Sequence, residues 1–295
     1  MANAVTTISP MFTTPYLTIA EFKQAPTSVD VDDLVGGGNS AINDQELLNV
    51  INRASGWIDS YCGQVLASTQ DTQSLRASVD RRGFLKVHPH FSPITEVASL
   101  SFGPLPNLMA SVAASAVWIE QQTIVVPVQG FSTVFNGSIQ FAGNYSTSQE
   151  QFVTVTYVNG YPNTLNSASV TASVTTLPVT DRTGFAPGQK FQIYDGSSTE
   201  LCTVASAFVP AQGAGNLTLV AATTYSHVLG VSVSALPPAI KQAAIYVTSG
   251  ILKARGNAAL VMQTLTPSTF QTFNPSAPAD FVQAQEMLKP YRRIR

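Results

Sequence analysis

His88-Pro89-His90 is the first place in this sequence where side chains could share a metal ion. On a strand, residues two apart face the same side. Pro89 interrupts such a strand, and no cysteine or carboxylate stands nearby to complete a ligand set. The segment therefore reads as a turn carrying two solvated imidazoles. Asp30, Asp32 and Asp33 resemble the start of a calcium loop. Val35 takes the position where that loop needs glycine, and its closing glutamate is missing, so the cluster reads as a solvated acidic loop. Gly36-Gly37-Gly38 lacks the spacing and the following Lys-Ser/Thr of a phosphate-binding loop. Cys62 and Cys202 are isolated and read as buried free thiols of a chain folded in a reducing compartment. His227 stands alone in a β-rich stretch and reads as an ordinary satisfied histidine. There is no nucleophile elbow, HExxH, GxGxxG or paired CxxC. The sequence thus points to no catalytic residue, metal or cofactor. One charged cluster remains. Lys289, Arg292, Arg293 and Arg295 are four of the 15 basic residues and fall within seven positions. Tyr291 and Ile294 add apolar anchors after Pro290. A solvated basic tail is the plain alternative, but Arg and Tyr dominate binding hot spots, and a segment ordered by proline docks at lower entropic cost. The six residues are expected to bind a partner.

The elements that must carry these residues follow from periodicity. Thr18 and Glu21 form a capping box for a helix over 18–25, with Leu17 and Phe22 as its hydrophobic staple. Leu47, Ile51, Ala54, Ile58 and Tyr61 form one stripe of a helix over 44–62, capped by Asn43 with Glu46 and stopped by Gly63. Residues 73–158 alternate with period two between Gly, Pro and Asn punctuation, a β-rich stretch. Residues 163–235 read as a self-contained β-sandwich or barrel-like module, with a hairpin at Asp195-Gly196. Helices resume over 238–255, with the stripe Ile240, Ala244, Val247 and Ile251, and over 278–289. The first 16 residues read as a flexible arm.

Charged residues are only 11% of the 295, and the net charge is −2. Soluble monomers average roughly 25% charge, so much of this surface is expected to be covered in an assembly, or to work outside cells. The balance excludes a generic, strongly basic nucleic-acid binder. Apolar runs are too short to span a bilayer. Residues 1–12 show neither the basic nor the apolar region of a signal peptide, so folding in a cytoplasm is expected.

The order of these segments resembles a known family. The segments are Ser60-Tyr61-Cys62-Gly63; Arg81-Arg82-Gly83-Phe84-Leu85-Lys86-Val87-His88-Pro89; Ser92-Pro93-Ile94-Thr95-Glu96-Val97; Val153 to Tyr157 running into Val158-Asn159-Gly160-Tyr161-Pro162; Leu236-Pro237-Pro238-Ala239-Ile240-Lys241-Gln242-Ala243; and the closing Leu288-Lys289-Pro290-Tyr291-Arg292-Arg293. Together they resemble the head-to-tail adaptor (connector) proteins of tailed bacteriophages, over 44–162 and 236–295. The resemblance implies an α+β fold: a small helical bundle with β-rich loops and hairpins over 17–162 and 236–295, interrupted by an inserted all-β domain over 163–235. It implies a structural virion protein without catalytic residues, made in the bacterial cytoplasm. A ring of about twelve copies would sit beneath the portal. Its C-terminus (Lys289, Tyr291, Arg292, Arg293, Ile294 and Arg295) would engage the portal protein. Stopper or tail-completion proteins would follow, and double-stranded DNA would pass through the channel without specific contacts. The family departs from this chain at 163–235, where it has a short connection. A stopper or tail-completion protein, and an extracellular β-rich binding module, are the competing expectations.

Overall fold

The computed structural model describes residues 14–27, 29–80, 82–128, 132–135, 138–141, 150–254 and 279–293. They form two compact units, one spanning Ser68–Gly160 and the other residues 14–67 with 161–293. Arg81, residues 255–278 and most of the N-terminal arm lie outside the described residues.

The first unit is a seven-stranded antiparallel sheet. Its strands are β1 (Thr69–Val79), β2 (Phe84–Val87), β3 (Ile94–Leu105), β4 (Leu108–Val112), β5 (Trp118–Glu120), β6 (Thr123–Pro127) and β9 (Glu150–Asn159), in the order β4-β3-β9-β1-β2-β6-β5. A separate hairpin joins β7 (Ser132–Phe135) to β8 (Ser138–Phe141). Alternation decides which face is buried. Along β9, Val153, Val155 and Tyr157 are fully buried, and Thr154 and Thr156 between them are not. Opposite them on β1, Thr72 and Ser74 meet Thr156 and Thr154 through hydroxyl pairs of 2.9 and 3.2 Å. Leu85, Val87, Leu100, Phe102, Ile124 and Val126 complete the core on the other face.

The second unit combines helices with smaller sheets. Its helices are α1 (Ile19–Gln24), α2 (Ser40–Cys62), α3 (Pro238–Ala254) and α4 (Ala279–Leu288). Leu47, Ile51, Ala54 and Ile58 of α2 pack with Ile240, Ala244 and Val247 of α3 and Ala284 and Leu288 of α4 in one core. Gly250 lets α3 approach α4 closely, since a Cβ there would lie 2.6 Å from the Phe281 ring. The strands are β10 (Asn163–Leu165), β11 (Thr176–Val179), β12 (Lys190–Tyr194), β13 (Glu200–Thr203), β14 (Gly215–Thr218) and β15 (Ser232–Ser234). They form a four-stranded sheet, β10-β15-β12-β13, and a β11–β14 pair around Phe185, Phe191, Ile193, Val204 and Leu217. The ends of this β-rich stretch are paired directly, with Leu165 opposite Ser232.

The expected small helical bundle with β-rich loops and hairpins is corrected by this architecture. The chain carries both helices and strands, but the described residues are mostly β, with four α-helices. Residues 69–159 are not loops decorating helices. Their period-two segments pair over ten positions between β1 and β9 and bury a core of their own. The start of α2 is also corrected. Asn39, not Asn43, is the N-cap, its Oδ1 accepting from the Ile42 amide at 3.0 Å. Asn43 is buried one turn inside, where it accepts from the Val35 amide and donates to the Asp32 carbonyl. It pins the acidic loop instead of capping the helix. The hairpin at Asp195-Gly196 forms with a longer connection containing a 3-10 turn over Gly196–Ser198.

Candidate functional site

The C-terminal end of α2 gathers residues from three distant parts of the chain. Gly63 closes the helix in the left-handed conformation, at φ 69°, and its amide donates to the Asp59 carbonyl. The following turn leaves the Cys62 carbonyl free to accept from the Arg293 amide at 2.8 Å. Gln64 Nε2 donates to the Tyr291 carbonyl at 3.3 Å. The rings of Tyr161 and Tyr291 meet edge to face, with centroids 6.3 Å apart. The Arg292 guanidinium lies 5.6 Å from the centre of the Tyr61 ring, a cation–π contact. Tyr61 in turn stacks on Trp57 at 5.5 Å, and Trp57 meets Phe281 at 5.4 Å.

The four described tail residues, Lys289, Tyr291, Arg292 and Arg293, are placed differently from one another. Tyr291 is half-buried and packs on the helical core, and Arg293 is held by its backbone. Arg292 is exposed at its tip and Lys289 is exposed, paired with Glu286 at 2.6 Å. Ile294 and Arg295 lie outside the described residues. The segment is thus docked on its own helix, presenting the Lys289 and Arg292 side chains to solvent. The basic cluster by itself does not signal this docking. The aromatic residues Tyr61, Tyr161 and Tyr291 were its only sequence signal.

Beneath the same end of α2, Tyr16 donates its phenol hydrogen to Asp59 Oδ1. The phenol oxygen accepts from the Leu66 and Ala67 amides at 2.9 and 3.3 Å. Burial pushes the Asp59 carboxyl up to about 7, against the lowering effect of its hydrogen bonds. Burial, with Asp59 beside it, pushes the Cys62 thiol up to about 12, which leaves it unreactive near neutrality.

Two further ionic clusters went unread in the sequence. Lys241 is buried in α3, with Nζ 2.6 Å from Glu21 Oε1, 2.9 Å from Ser232 Oγ and 4.2 Å from the Tyr194 ring centre. Burial holds this ammonium below the ordinary lysine value, against the attraction of Glu21. Glu21 also closes the capping box of α1, accepting from the Thr18 amide at 2.7 Å. A lysine beside the apolar stripe of α3 was the available signal. His227 is fully buried between two carboxylates, Nδ1 being 3.1 Å from Asp195 Oδ2 and Nε2 2.7 Å from Glu200 Oε1. Burial opposes ionisation of Glu200, but hydrogen bonds from His227 and from the Thr224 and Tyr225 amides outweigh it and hold the carboxyl below its ordinary value.

The remaining sequence candidates stay apart. His88 Nδ1 lies 3.2 Å from Thr123 Oγ1, and the His90 amide donates to Gln73 Oε1 at 2.9 Å. Among the described residues no group of three His, Cys, Asp or Glu side chains is placed to hold a metal ion. No helix among them is long and apolar enough to cross a membrane. The ionic clusters are internal ties, whereas Lys289 and Arg292 on the docked C-terminal segment are exposed. The chain matches no protein-family model, no curated protein and no solved structure.

Proposed function

We propose that this chain is a structural protein of a tailed-bacteriophage head-to-tail connector. In this reading it is an adaptor that assembles as a ring beneath the portal and joins the DNA-filled head to the tail, with the genome passing through its channel. One observation carries the reading. Parts of three of the six segments that carry the family resemblance, Ser60 to Gly63, Gly160 to Pro162 and Pro290 to Arg293, converge at one place, through Tyr61 with Arg292, the Cys62 carbonyl with the Arg293 amide, and Tyr161 with Tyr291. Residues scattered over more than two hundred positions thus behave as one structural unit. A chain with only 11% charged residues also suits a subunit flanked by copies of itself. Ring closure requires two different patches, one for each neighbour. Lys289, Arg292 and Arg293, held in position by the docked segment, supply the contact to the portal. No catalysis is assigned to the chain.

Arg292→Glu with Arg293→Glu tests the contact. The Cys62–Arg293 bond is made by backbone and survives the exchange, so the side-chain losses, the Arg292–Tyr61 contact among them, are expected to lower the melting temperature by no more than a few degrees. It is expected to lose at least tenfold in affinity for portal rings, and wild-type binding is expected to weaken with salt. Equal binding by variant and wild type would remove the C-terminus from the contact.

A further inference from the structure

The outer face of the first unit breaks its own pattern near the open edge of the sheet. Facing residues along β2, β5 and β6 should be polar there, as the threonine and serine pairs of β1 and β9 are. Instead Phe84, Trp118 and Val125 gather on it. Trp118 pairs with Val125 across the β5–β6 ladder and meets Phe84 edge to face at 5.7 Å. Val125 is buried under them at 3% exposure, but Trp118 remains 42% exposed. With Asp80, Arg82, Lys86 and Glu120 they line a cavity of about 510 Å³, within the range of small-molecule sites.

The polar groups are divided in use. Asp80 is occupied, accepting from the Arg82 and Phe84 amides at 2.9 and 3.0 Å and from Lys86 Nζ at 3.2 Å. The Arg82 guanidinium and the Glu120 carboxylate make no hydrogen bond or ion pair among the described residues. The four charges sum to zero, which favours neither an anion nor a cation. What remains is a flat indole, one fan of donors and one pair of acceptors around a neutral concavity. A ligand matching all three has an apolar face and a rim of groups that both donate and accept. Hydroxyls are such groups, and a pyranose ring carries them around a face of C–H bonds. We infer that this cavity is a saccharide-binding site, in which a neutral pyranose stacks on Trp118 while its hydroxyls accept from Arg82 and donate to Glu120.

The chain contains two tryptophans, so its indole N–H signals are two and can be told apart with a Trp118→Phe variant. The full chain is titrated with methyl pyranosides of glucose, galactose, mannose and N-acetylglucosamine, and with maltose. At least one is expected to shift the Trp118 signal saturably and leave that of Trp57 in place. Glu120→Gln, which disturbs no internal bond, should weaken that affinity about tenfold. Trp118→Ala should abolish it. Absence of a saturable shift with every sugar would overturn the inference, as would unchanged affinity in Glu120→Gln. So would a response confined to an extended tetrapeptide, which would mark the β5 edge as a strand-pairing site instead. These outcomes are independent of whether the chain joins a portal.

Discussion

The two units order themselves by different means. In the sheet of the first unit, apolar side chains fill most of one face around a buried carboxylate, Asp71, held by Asn159 and Thr69; hydroxyl pairs such as Thr72–Thr156 line part of the other, with the Arg76–Glu150 ion pair left exposed. The second unit takes charge inside, holding Lys241 with Glu21, His227 between Asp195 and Glu200, and Asp59 under Tyr16. Exposed pairs contribute little to stability, whereas a buried charge stripped of its partner is strongly destabilising. The second unit is therefore more brittle to single substitutions, but its ionic ties fix which elements meet: α1 to α3 and β15 through Lys241, and the β12–β13 turn to the 224–227 loop through His227.

Substitutions can break or sharpen this contrast. The largest effect is expected at Lys241→Met, which strands Glu21 beneath α3 and should cost about 3–5 kcal/mol in chemical denaturation. Adding Glu21→Gln should recover at least half of that loss. Full additivity of the two would show that the pair does not act as a unit. His227→Phe should cost about 2–3 kcal/mol by leaving Asp195 and Glu200 without the imidazole between them. It should also flatten the acid limb of the stability profile. Glu200, held below its ordinary value, contributes stability that is present above the usual carboxylate range and lost as pH falls through its lowered folded value. An unchanged acid limb in the variant would sever Glu200 from His227.

Asp59→Asn has the opposite sign. Its carboxyl, raised to about 7, contributes stability that is complete below the ordinary carboxylate value and lost as pH rises to neutrality. The asparagine variant should match the wild type near pH 4 and be about 4 kcal/mol more stable at pH 8, with thermal melts as the readout. A variant less stable than the wild type at pH 8 would mean that the charged form is the one the fold holds. The smallest effect belongs to the first unit, where Thr72→Ala should cost under about 1 kcal/mol.

Local signals in the sequence were read correctly where one residue decides. Thr18 and Glu21 cap α1 reciprocally, and Gly63 stops α2 in the left-handed conformation. Local signals failed where two residues compete, as Asn39 and Asn43 do, because the loop that captures the Asn43 side chain lies outside any helical pattern. The strands were legible as period-two segments, but their pairing was not. β1 and β9 are some 80 residues apart, and no local rule sets the register that makes Leu75 face Val153. The tail was legible as a basic and aromatic cluster, but its docking depends on a carbonyl at Cys62 and rings at Tyr61 and Tyr161. The His227 cluster was illegible because its carboxylates sit 27 and 32 residues away, one on a turn and one on a strand.

The proposed role rests on assembly, and the most direct test is the mass of the full chain, alone and mixed with portal rings encoded in the same genome, by native mass spectrometry with single-particle imaging. A closed ring of copies seated on the portal is expected, lost in Arg292→Glu with Arg293→Glu while the melting temperature falls by no more than a few degrees. A chain that stays monomeric and never joins the portal would contradict it.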